Sequence, residues 1–110
     1  NRLNLNLKRL SLVDISNLSF FKPNLKKFPC LRLGWDALQN PFCSPIVLNA
    51  SNEIAVDCFL KNKINLIDIF NIVEETLNFY NPNKPQNIDD VIDIDKIARF
   101  NALKFIDRLK

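Results

Sequence analysis

Asn49, Ser51, Asn52, Glu53 and Asp57 crowd one short stretch, LNASNEIAVDCFL at residues 48–60, and bring together a hydroxyl, two carboxamides and two carboxylates. Ser51 could act as a nucleophile only with a base in hydrogen-bond reach, and a chain without histidine leaves a lysine or a carboxylate for that role. Glu53 and Asp57 stand one helical turn apart and could share a metal ion, as paired carboxylates do in di-iron bundles. Those bundles also use Glu-x-x-His pairs, which cannot exist here. Asn49-Ala50-Ser51 fits the glycosylation sequon, a three-residue pattern with no secretion signal beside it. Asp89, Asp90, Asp93 and Asp95 match a calcium loop in acid content alone, because the D-x-D-x-D-G spacing and its turn glycine are missing. Trp35, Phe20 and Phe21 could stack on a ligand, although core or interdomain contact is the ordinary use of such rings.

Composition narrows the chemistry further. The 110 residues are 47% hydrophobic and 25% charged, which suits one ordinary globular domain with a modest core. The chain has no His, no Met and a single Gly, so the commonest general base is missing and no glycine-rich loop can cradle a phosphate. Cys30, Cys43 and Cys58 are odd in number and form no C-x-x-C pair, which favours reduced core thiols over a disulfide framework or a zinc knuckle. No apolar run reaches the roughly 18 residues that a membrane span needs, and the first residues lack a signal-peptide core. The expectation is a cytoplasmic protein without a membrane partner. Residues 1–40 hold seven Lys or Arg (Arg2, Lys8, Arg9, Lys22, Lys26, Lys27, Arg32) against two acids, but a net +3 without a binding motif reads as a solvated face, not a nucleic-acid surface.

The elements that must position these residues follow from periodicity. LNLNL at residues 3–7 alternates with period two, and NLSFF at 17–21 is a second extended candidate, so residues 1–28 read as a connecting arm. From Pro29 the pattern is helical: Cys30, Leu33, Gly34, Ala37 and Leu38 fall on one stripe, with Gly34 suggesting close approach of a neighbouring helix. A helix starting near Pro45 places Asn49, Glu53, Asp57 and Lys61 at strict i+4 spacing, one polar stripe flanked by Asn52. Val47, Leu48, Ala50, Ile54, Ala55, Val56, Cys58, Phe59 and Leu60 cover the rest of that helix, as in the centre of a bundle. Asn65 caps a third helix that buries Leu66, Ile69, Phe70, Val73, Leu77 and Tyr80. After a loop at residues 81–85, a short turn and a last helix turn Ile94, Ile97, Ala98, Ala102, Phe105 and Leu109 inward, with Asp95 and Arg99 forming an i, i+4 pair. The fold class is mainly α: about four packed helices over residues 29–110, preceded by an extended arm over residues 1–28.

In order and spacing, FPCLRLGWDAL (28–38), LNASNEIAVDCFL (48–60), INLIDI (64–69) and IDDVIDID (88–95) resemble the C-terminal part of the 1-deoxy-D-xylulose 5-phosphate reductoisomerase family. The stretch NRLNLNLKRLSLVDISNLSFFKPN resembles the segment that leads out of that family's central domain, so the likeness covers the whole chain. The resemblance implies an NADPH-dependent rearrangement and reduction of 1-deoxy-D-xylulose 5-phosphate to 2-C-methyl-D-erythritol 4-phosphate in non-mevalonate isoprenoid biosynthesis. It also implies a divalent metal, magnesium or manganese, and a larger α/β enzyme that is a homodimer in the cytoplasm.

In that family the nucleotide loop, the metal ligands and the phosphate-binding residues all precede the helical domain. The resemblance therefore implies no catalytic, cofactor-binding or metal-ligating residue in this chain, whose partners would be the upstream domains of its own polypeptide. The chain begins on Asn1, which fits a piece of something longer. The competing reading is a free-standing helical module that uses its basic arm to bind an acidic partner or RNA.

Overall fold

The computed structural model describes residues 10–40 and 42–109. The expected extended segment at residues 3–7 lies outside these. Five helices follow in order: α1 (Leu12–Ile15), α2 (Cys30–Gln39), α3 (Ser44–Leu60), α4 (Leu66–Phe79) and α5 (Ile88–Arg108). Among the described residues there is no strand. Helix α1 is a single turn that the sequence reading missed, started by the Ser11 hydroxyl accepting from the Asp14 N–H at 3.3 Å. Residues 17–21, expected to be extended, form neither helix nor strand.

Local chemistry sets the ends of the longer helices. Pro29 precedes α2 with φ −67°, already suited to a helical turn. Helix α3 ends with Asn62 in the left-handed region at φ 56°. There the Asn62 N–H reaches the Phe59 carbonyl and the Lys63 N–H the Cys58 carbonyl, each at 2.9 Å, which closes the helix as a Schellman motif. At the start of α4 the Asp68 carboxylate accepts from the Asn65 N–H at 2.8 Å. The Asn87 side chain accepts from the Asp90 N–H at 2.9 Å to start α5, while the Asp90 carboxylate accepts from the Gln86 N–H at 2.7 Å. Asp89 and Asp90 thus sit at the positive end of α5, and the expected turn and helix are one continuous element.

The core lies mainly between α3 and α5, with α4 against both and α2 against α3. One buried cluster joins Cys43, Val47 and Ala50 to Ile94 and Ala98. A second joins Ala55 and Cys58 to Ile69, Ile72, Ala102 and Ile106. The residue numbers rise together along both helices, so α3 and α5 run in the same direction. Ala50, Ala55, Ala98 and Ala102 have no exposed surface, and their small side chains let the two backbones close in.

Several inward assignments are corrected. Leu38, Leu60, Leu66, Ile97 and Leu109 are exposed, as is Cys30, while Ile72, Thr76, Asn101 and Ile106 are buried instead. Helix α4 has neighbours on two sides, so its covered arc is rotated toward Ile72 and Thr76 from the stripe the periodicity picks out. The Thr76 hydroxyl solves its own burial by donating to the Ile72 carbonyl at 2.7 Å. Gly34 is not a close-approach glycine either, since a methyl group built there meets nothing within 4 Å.

Candidate functional site

Helix α3 places the crowded polar stretch on two different faces. Ser51 is fully buried, and its hydroxyl donates back to the Val47 carbonyl at 2.7 Å and to the Leu48 carbonyl at 3.2 Å. Its proton is held by the preceding turn, and no base meets it. Asn49, Glu53, Asp57 and Lys61 form the exposed stripe that the i+4 spacing indicates. Asn49 Nδ2 donates to Glu53 Oε1 at 3.1 Å, and Lys61 Nζ donates to Asp57 Oδ2 at 2.7 Å. The two carboxylates therefore face different partners and do not converge.

Arg99 on α5 is the polar hub of the α3–α5 seam. It holds Asp95 through Nε at 2.7 Å and Nη2 at 3.2 Å, and it reaches Glu53 Oε2 at 2.7 Å. The Asp95–Arg99 half was legible from spacing, whereas Glu53 is 46 positions away and only the fold brings it in. The hydrogen bond from Arg99, helped by Asn49, holds the Glu53 carboxyl below the ordinary value of 4.5. Bonds to Asp95 and then Glu53 raise the Arg99 pKa, so the guanidinium stays charged. Asp93 is taken up by Lys96 at 3.4 Å, so the acids of α5 spread along its surface. Among the described residues, no group of three His, Cys, Asp or Glu side chains could hold a metal ion.

Two grooves flank α2. The larger, of about 620 Å³, lies between α2, α4 and the loop at residues 81–84, and it contains Arg32, Asp36, Glu74, Asn78 and Lys84. Its charges are largely committed: Arg32 bridges Glu74 and Asp36, and Lys84 Nζ sits 4.5 Å from the centre of the Phe42 ring. Cys43 Sγ donates to the Pro82 carbonyl at 3.0 Å and ties that loop to the head of α3. The smaller groove, of about 440 Å³, is apolar and is formed by Phe28, Pro29 and Cys30 against Leu66, Ile67 and Phe70.

The aromatic candidates lie outside the core. Trp35 is 61% exposed, and Phe20 and Phe21 are each 88% exposed. Between residues 10 and 28 nothing is buried. Arg2, Lys8 and Arg9 lie outside the described residues, and Lys22, Lys26 and Lys27 belong to the exposed arm. Cys30, Cys43 and Cys58 are free thiols, as the sequence suggests, with Cys30 at the surface. No described helix is long and apolar enough to cross a membrane. The described residues form a packed helical bundle with paired surface charges, and the Ser51 hydroxyl among them meets backbone carbonyls and no base.

Comparison with known proteins gives the chain its relatives. Residues 1–101 match the family model described as the DXP reductoisomerase C-terminal domain. The 1-deoxy-D-xylulose 5-phosphate reductoisomerase of Ehrlichia canis (strain Jake) is 43% identical over 104 residues, which are 93% of this chain and 27% of that protein. The Proteus mirabilis (strain HI4320) enzyme of the same name is 39% identical over 99 residues, or 90% and 25% of the two chains. Among solved structures, the Zymomonas mobilis 1-deoxy-D-xylulose 5-phosphate reductoisomerase in complex with NADPH superposes with a TM-score of 0.86 at 36% identity. That match covers 96% of this chain and 28% of the other. A DOX-P reductoisomerase in complex with magnesium gives a TM-score of 0.83 at 32% identity, covering 100% and 30%. The chain spans about a quarter of the length of the curated relatives it matches.

Proposed function

The chain belongs to the 1-deoxy-D-xylulose 5-phosphate reductoisomerase family, and from that premise we propose that it is the C-terminal helical domain of a polypeptide that converts 1-deoxy-D-xylulose 5-phosphate to 2-C-methyl-D-erythritol 4-phosphate with NADPH. The match of residues 1–101 to the family's C-terminal domain carries the reading. In this proposal residues 1–28 are the arm from the central domain and residues 29–110 are the helical domain. The complete enzyme is a cytoplasmic homodimer that uses magnesium or manganese.

The chemistry of the described residues supports a place for NADPH and the metal elsewhere in the polypeptide. Asp57 is paired with Lys61, Asp93 with Lys96, and Glu53 and Asp95 with Arg99, and Gly34 sits inside α2, where it makes no phosphate-binding turn. We therefore place both groups, and every catalytic residue, in the upstream domains, and give this domain a supporting role. The reading as a free-standing module for an acidic partner or RNA is not favoured, because the family match extends through the arm itself.

The test is an assay of NADPH oxidation with 1-deoxy-D-xylulose 5-phosphate and magnesium or manganese. The complete polypeptide is expected to turn over and the 110-residue chain is not. Turnover by the 110-residue chain would overturn the assignment of the chemistry to the upstream domains.

A further inference from the structure

Phe28, Pro29 and Cys30 stand against Leu66, Ile67 and Phe70 of α4 around a groove of about 440 Å³. That volume lies in the range of about 300–1,000 Å³ that small-molecule sites occupy. Phe28, Leu66 and Ile67 are 57%, 68% and 61% exposed, so one apolar occupant would take three large side chains out of water together. Among the described residues that line the groove, Lys27 carries the only charge, and its ammonium lies 5.7 Å from the centre of the Phe28 ring. The chain around it has the same sign: Lys22, Lys26, Lys27 and Arg32 fall between Asp14 and Asp36 with no acid among them. On the α4 side, Asp68 is taken up by the Asn65 N–H and Glu74 by Arg32.

We propose that this groove is a binding site for a small single-chain amphipathic anion, a free fatty carboxylate, whose tail lies against Phe28, Leu66 and Ile67 and whose head pairs with Lys27. Charge complementarity selects that occupant. A neutral chain leaves Lys27 unused, and a cationic head meets it with like charge. The tail supplies most of the affinity through apolar contact. The head adds selectivity more than strength, because Lys27 is exposed and its ion pair is screened by water. The site is independent of where the catalytic residues of the enzyme lie.

Cys30 supplies the reporter, because it lines the groove and is exposed while Cys43 and Cys58 are buried. The complete polypeptide is alkylated with iodoacetamide in the presence of decanoate, decanol or decylammonium, each below its aggregation threshold, and each cysteine is followed by mass spectrometry. Decanoate is expected to slow Cys30 alkylation saturably, by about fivefold or more, since a site of this kind buries most of its ligand. Decylammonium should protect least. In Lys27→Gln the decanoate concentration for half-protection should rise about two- to fivefold, with decanol unchanged. In Ile67→Asp, a change at an exposed position that leaves the bundle core intact, both should weaken. Absence of protection by decanoate, or equal protection by decylammonium, would overturn the proposal. So would a Cys30 that is inert before any ligand is added, which would show the groove already covered by other parts of the polypeptide. Reactive Cys43 or Cys58 in decanoate would overturn it as well, by showing that the amphiphile unfolds the bundle. Protection by phosphatidylglycerol vesicles and not by decanoate would overturn it in favour of a membrane surface.

Discussion

Arg99 shows how one side chain converts a surface stripe into a joint between helices. Its guanidinium fixes Asp95 on its own helix and Glu53 on α3, so Glu53 is held ionised at the seam. Because the folded Glu53 value is depressed, its contribution to stability is present above the ordinary 4.5 and is lost as pH falls through the lower folded value. An Arg99→Gln variant is therefore expected to lose stability at neutral pH, and the gap from the parent narrows on acidification. Urea unfolding at a series of pH values checks this; a gap that widens toward acid would contradict it. A carboxyl NMR titration should also show the Glu53 midpoint returning toward 4.5 in the variant. At Ala98, which has no exposed surface, a Leu substitution is expected to cost about 1–3 kcal/mol by overpacking the seam, read from the denaturation midpoint.

At the scale of the element, the ends and the glycine of the helices give the sharpest expectations. Gly34→Ala should stabilise the 110-residue chain by about 0.5–1 kcal/mol, because the site is helical and the added methyl meets no neighbour. A loss of stability measured by thermal unfolding of the same chain would contradict this. Asn87→Ala removes the acceptor for the Asp90 N–H and should cost about 1 kcal/mol by the same measurement. These elements were the legible part of the sequence. The i+4 stripe of Asn49, Glu53, Asp57 and Lys61, the Asn65 cap, the loop at residues 81–85 and the Asp95–Arg99 pair all follow from spacing within one segment. The burial of Ile72, Thr76, Asn101 and Ile106 was not legible, because a helix's covered arc depends on how many neighbours it has and where they sit. The same reason hid the Arg99–Glu53 and Arg32–Glu74 contacts, whose partners meet only in space. A single turn such as α1 carries too little periodicity to read. The polar residues that stand out in the sequence between positions 49 and 57 are divided by the geometry among separate partners.

At the scale of the molecule, the chain has a radius of gyration of 18.1 Å. A compact chain of this length would be about 13 Å, and residues 10–28, none of which is buried, belong to neither core cluster. Small-angle scattering of the 110-residue chain should give the larger value, and brief trypsin treatment should cut first after Lys26 and Lys27 while α3 to α5 stay intact. Early cleavage at Lys96 or Lys104 on α5 would contradict this order. The alanine seam has a further consequence for such a domain. Ala50, Ala55, Ala98 and Ala102 have no side-chain torsions to lose, whereas each leucine immobilised in their place would forfeit about 0.5–1 kcal/mol of rotamer entropy. The seam between α3 and α5 thus forms between surfaces that are rigid before they meet.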